Sequence, residues 1–207
     1  MQSTTNTREM TMTTSLRALR HTIRHTIGHH RARAGVAVTA LTLALPAAAH
    51  PGHAPDSGFV AGLLHPVTGI DHLLALLAVG LWSRQQHRCL LAPTFLVMMA
   101  LGAASSGGVA LPALELSIAA TVLLLGGLAA YAPRLQQPQM AVLTVGACAF
   151  VHGLAHGNEL TGMASGAGFI LASAGLMLLG AMPGERLRRP LAAAIGAAGI
   201  WLVALAR

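Results

Sequence analysis

Residues 59–81 read FVAGLLHPVTGIDHLLALLAVGL, twenty-three positions of which only His65, Asp71 and His72 are ionisable. A helix of that length covers ~34 Å, enough to cross the ~30 Å hydrocarbon core of a bilayer. Placed there, an ionised Asp71 costs on the order of 2.5–3.5 kcal/mol even on the lenient insertion scale, so it needs partners. In a regular helix His65 and His72 are two turns, ~10 Å, apart and cannot bind one ion together. Pro66 removes a backbone donor and Gly69 permits unusual dihedrals, so a break here would draw the ends of the motif together and expose carbonyls. The other reading is two successive stations along one path.

Five further apolar stretches follow, near residues 90–110, 111–131, 139–157, 163–182 and 188–206, so the expected fold is an all-α membrane bundle of six spans with a broken first helix. The boundary at 110/111 is marked only by Gly107, Gly108 and Pro112. Over 207 residues, 54% are hydrophobic and 9% charged, outside the range of soluble domains. The net charge of +7 is a matter of topology: all thirteen basic residues are Arg, and six precede residue 34. With 3% aromatics there is no stacking platform for bases, and no nucleic-acid partner is expected. Many small residues (Gly102, Gly126, Gly127, Gly168, Gly196, Gly199) suit helices that approach closely, because lipid offers no hydrophobic drive for association.

The N-terminal region reads as a signal peptide over residues 1–49. Arg17, Arg20, Arg24, Arg31 and Arg33 precede an apolar run too short to span, which ends in Ala47-Ala48-Ala49. The mature domain is then 50–207 and starts HPGHAPD, where His50 and His53 form a weak outer metal site or a flexible polar tail. Removal of the peptide puts the N-terminus in the periplasm. The gaps after spans one, three and five hold Arg84, Arg88, Arg134, Arg186, Arg188 and Arg189, and those after spans two and four hold none, which makes the former cytoplasmic. The expectation is a bacterial inner-membrane protein with both termini periplasmic.

Span four carries the second cluster, HGLAHGNE, residues 152–159, with His152, His156 and Glu159 along one helical stripe. Span three adds Glu115. Span one runs inward and span four outward, so His65, ~9 Å below the outer edge, and Asp71 and His72 near the midplane meet His152, His156 and Glu159 at matching depth. One hydrated site open to the periplasm follows. Mixed imidazole and carboxylate ligands suit Ni, Co or Zn, and the lack of thiolate and Met clusters argues against Cu(I). A single such His would read as interhelical glue. Cys148 reads as a packing residue, Cys89 and His87 as loop residues.

The two motifs, HPVTGIDH and FVHGLAHGNE, resemble the signatures of the HupE/UreJ family, and the resemblance covers the whole chain, including the HPGH start and the Glu in the third span. It implies secondary transport of nickel, or cobalt, into the cell for hydrogenase or urease maturation, with metal-handling positions at His65, Asp71, His72, Glu115, His156 and Glu159, and His152 in the same stripe. No prosthetic group is implied; the metal is the cargo. The absence of a G-x-x-x-x-G-K-[ST] motif points to passive or ion-coupled movement. Two rivals stand beside this reading. An intramembrane zinc hydrolase could use the same ligands, although H-G-L-A-H lacks the glutamate of H-E-x-x-H. A periplasm-facing metal donor would need only the outer ligands. The paired motifs in spans one and four also suggest two inverted halves of three helices.

Overall fold

A chain this apolar can cross a bilayer only with every backbone group bonded internally, and helices achieve this span by span. The structure, a computed structural model, describes residues 58–107, 113–131, 137–157 and 162–207. Those residues form α1 (Phe59–Thr68), α2 (Ile70–Gln86), α3 (Leu91–Ser105), α4 (Leu114–Tyr131), α5 (Pro138–His156), α6 (Met163–Ala181) and α7 (Glu185–Leu205), all within the unit Gly52–Arg207. The proposed signal peptide, His50, His53, Arg134 and Glu159 lie outside the described residues.

Helices α4 to α7 are each long and apolar enough to cross a membrane, and α1 with α2, bent by 81°, make a fifth span as a pair. At fifteen residues, α3 is shorter than the ~20 a straight crossing needs. The expected stretches therefore reappear as helices, but the first is two helices and the second falls short of span length.

α2 is the central helix, packed against α3, α4, α6 and α7. Ala75, Leu76, Ala78, Val79 and Trp82 are fully buried, with no polar face left over, as expected of a helix enclosed on every side. It ends at His87, which is left-handed (φ 54°), where Ser83 Oγ donates to the Arg88 carbonyl at 2.6 Å.

Small residues set the interhelical distances. A Cβ added at Gly80 would strike the Met177 carbonyl, and one at Gly180 the Leu77 carbonyl, so α2 and α6 touch backbone to backbone. Gly62 and Gly168 do the same for α1 and α6, Gly102 and Gly153 for α3 and α5, Gly126 and Gly199 for α4 and α7. Helix α6 thus grips the broken span at two points. Along α6, Gly168 and Gly180 are ~18 Å apart, and the bent path from Gly62 through Gly69 to Gly80 closes ~21 Å where a straight helix would need ~27 Å. The corner at Gly69 stands away from α6, and the wedge behind it is where the candidate site lies.

Candidate metal-handling site

The break builds the site, by a mechanism that differs from the expectation. α1 runs through Pro66 to Thr68, whose hydroxyl bonds back to the Leu64 and His65 carbonyls at 3.1 and 3.2 Å. Gly69 still donates to the His65 carbonyl at 3.0 Å and then leaves the helix at φ −77°, ψ 109°. That is ordinary extended backbone, open to any residue. What glycine supplies is room: a Cβ here would sit 3.1 Å from Asp71 Oδ1 and 3.5 Å from the His65 carbonyl.

Restarting at Ile70, the chain places Asp71 and His72 in the first turn of α2. A carboxylate is favoured at a helix N-terminus, and Asp71 Oδ1 accepts the backbone N–H of His72 at 2.6 Å. The same oxygen lies 3.4 Å from His72 Nδ1, a long contact, with Asp71 16% and His72 1% exposed. A carboxyl group costly in hydrocarbon is thus set at a helix N-terminus and beside an imidazole.

The bend brings the His65 and His72 rings to 5.8 Å between centroids, edge to face, well inside the ~10 Å of a straight helix. The His152 ring of α5 stands 4.9 Å from that of His72. Imidazoles from α1 and α5 therefore both lie against that of His72 on α2. Phe169 of α6 fills the wedge, its ring 5.6 Å from that of His65 and 5.4 Å from that of His72. Phe95 of α3 lies 6.2 Å from His152. His152, fully buried, meets the Thr121 hydroxyl of α4 through Nε2 at 2.7 Å.

Four of the seven principal candidates thus converge: His65, Asp71, His72 and His152. Glu115 is exposed in the first turn of α4, ~9 Å of helix before Thr121. His156 closes α5, one turn beyond His152. The side chain of His156, like Glu159, lies outside the described residues. Among the described residues no three of the His, Cys, Asp and Glu side chains form a group able to hold one ion. Sequence reasoning missed Thr121, Phe95 and Phe169. For Phe169 a signal existed: Ser165, Phe169 and Ser173 recur every four residues and all are buried.

A family model described as HupE / UreJ protein matches residues 37–206. Protein HupE of Rhizobium leguminosarum bv. viciae is 40% identical over 155 residues, which cover 70% of this chain and 80% of that protein. No solved structure matches the chain. The chain therefore belongs to the HupE/UreJ family of multi-pass membrane proteins, transporters rather than enzymes, associated with nickel uptake for hydrogenase and urease.

Proposed function

We propose that this chain is a secondary transporter that carries divalent nickel, with cobalt as a second cargo, across the inner membrane into the cytoplasm. The observation that carries the reading is the break at Gly69, which sets His65 and His72 5.8 Å apart and His72 4.9 Å from His152 inside an apolar bundle. Imidazoles beside a carboxylate, here two buried and one partly so, gathered from separate helices at a discontinuous span, are the usual make-up of an ion site in transporters. These contacts support successive stations: capture at the outer mouth by His156, Glu159 and Glu115, with His50 and His53 assisting and His65 and His152 below them, then transfer to His72–Asp71 near the midplane. Ligand deprotonation links each station to pH. The bent pair and α3 each count as one crossing in this reading, which gives six spans and a periplasmic N-terminus. The helix pairing supports the inverted halves: span one packs on span five as span two packs on span four. The hydrolase alternative loses its footing, since the family's members are transporters.

Labelled-nickel uptake into proteoliposomes tests this. The parent accumulates nickel, and Asp71→Asn and His72→Ala lower the rate at least ~10-fold, about 1.4 kcal/mol. Equal uptake by all three would overturn the reading. A reporter fused after Arg88 reports the cytoplasm; a periplasmic signal there would reverse the topology.

A further inference from the structure

Thr121 makes two short contacts through one oxygen: 2.7 Å to the Ile118 carbonyl of its own helix and 2.7 Å to Nε2 of His152 across the α4–α5 interface. Both residues are buried, Thr121 8% and His152 0% exposed, so bulk water does not substitute for either partner. A threonine hydroxyl carries one proton, and a carbonyl can only accept. Both contacts are bonds in a single arrangement: Thr121 donates to Ile118, and His152 Nε2–H donates to Thr121. In the opposite tautomer Thr121 must turn its proton to Nε2, leaving two lone-pair-bearing oxygens facing each other at 2.7 Å, which is repulsive where the dielectric is low.

We propose that Thr121 is a positioning residue that fixes His152 in its neutral Nε2–H tautomer, so that Nδ1 is the nitrogen whose lone pair the cation takes. The proposal rests on His152 being a station for the metal. Metal-binding imidazoles commonly donate their second N–H to an oxygen, which sets ring orientation and basicity. A carboxylate in that role makes the ring a stronger ligand; a neutral hydroxyl holds the ring without adding charge. That suits a ligand that must release its ion as readily as it takes it.

The tautomer is read from 15N ring resonances of histidine-labelled, metal-free protein in lipid vesicles, with the His152 signal assigned by its loss in His152→Gln. The parent and Thr121→Ser give a neutral ring protonated at Nε2, and Thr121→Val gives a mixture. In nickel uptake, Thr121→Val raises the half-saturating nickel concentration ~10–100-fold with the maximal rate retained, and Thr121→Ser restores it. A ring protonated at Nδ1 in the parent overturns the proposal, as does a Thr121→Val protein with parental half-saturation. Should Thr121→Val not fold, the parent's ring spectrum decides alone. Failure of every protein, the parent included, to take up nickel would sink the transport reading and leave the ring spectrum to decide Thr121.

Discussion

The broken span against α6 and the continuous pair α4–α7 use the same contact, glycine on backbone, to opposite ends. In α4–α7 the close approaches adjoin one another, Gly126 on Gly196 and Gly199 on Leu123, one turn apart on two unbroken helices. In α1–α2 against α6 the approach occurs at two separate places, around Gly62 and Gly168 and around Gly80 and Gly180, and between them the chain turns away by 81°. The imidazoles and the carboxylate occupy the space so made. Proline alone does not separate the two cases. Pro190 lies inside α7, which still runs unbroken for 21 residues, and α1 likewise passes through Pro66. The turn comes where Gly69 leaves one helix and serves as N-cap of the next, whose first turn holds Asp71, so the break belongs to the site and not to a weak point in the span.

If the wedge depends on its aromatic filler, removing it has the largest effect. Phe169→Ala takes away the ring that packs on His65 and His72 and should cost about 3–5 kcal/mol. Unfolding of purified protein in detergent measures it, and a loss below ~1 kcal/mol would mean the wedge collapses freely. Next comes a neighbouring pair on α4. Gly126→Ala pushes a methyl into the Gly196 backbone and should cost about 1–3 kcal/mol, whereas a Cβ at Gly127 meets nothing within 4 Å and Gly127→Ala should change stability by less than ~0.5 kcal/mol. Equal effects at the two positions would mean α4 is rotated from the orientation described. Smallest in stability, and sharpest for the site, is Gly69→Ala. Its backbone angles suit alanine, so unfolding should shift by less than ~1 kcal/mol. The new methyl crowds Asp71 Oδ1, and nickel uptake should fall ~10-fold, about 1.4 kcal/mol. A Gly69→Ala protein that unfolds early but transports normally would make the glycine a purely conformational residue.

Much was legible before any coordinates. Span positions follow from the cost of polar groups in hydrocarbon, which is summed residue by residue along the chain. The anomaly of His65, Asp71, His72, His152, His156 and Glu159 in apolar surroundings is visible for the same reason, and so is a discontinuity near Pro66 and Gly69. The role of Gly69 was misread, because its need for space arises from Asp71, whose carboxylate folds back only once the next helix has started.

Sequence by itself determined the class of protein, its apolar helices and the ionisable residue types set among them. Tertiary structure alone decided which faces meet: His72 on His152, His152 on Thr121 thirty-one positions away, Phe169 on both His65 and His72, Gly126 on Gly196 with Gly127 left open. The physical reason is rotational. A helix apolar on every side has no polar face to fix its orientation about its own axis, so only the packing of small residues against neighbouring backbone sets which side chains point at one another.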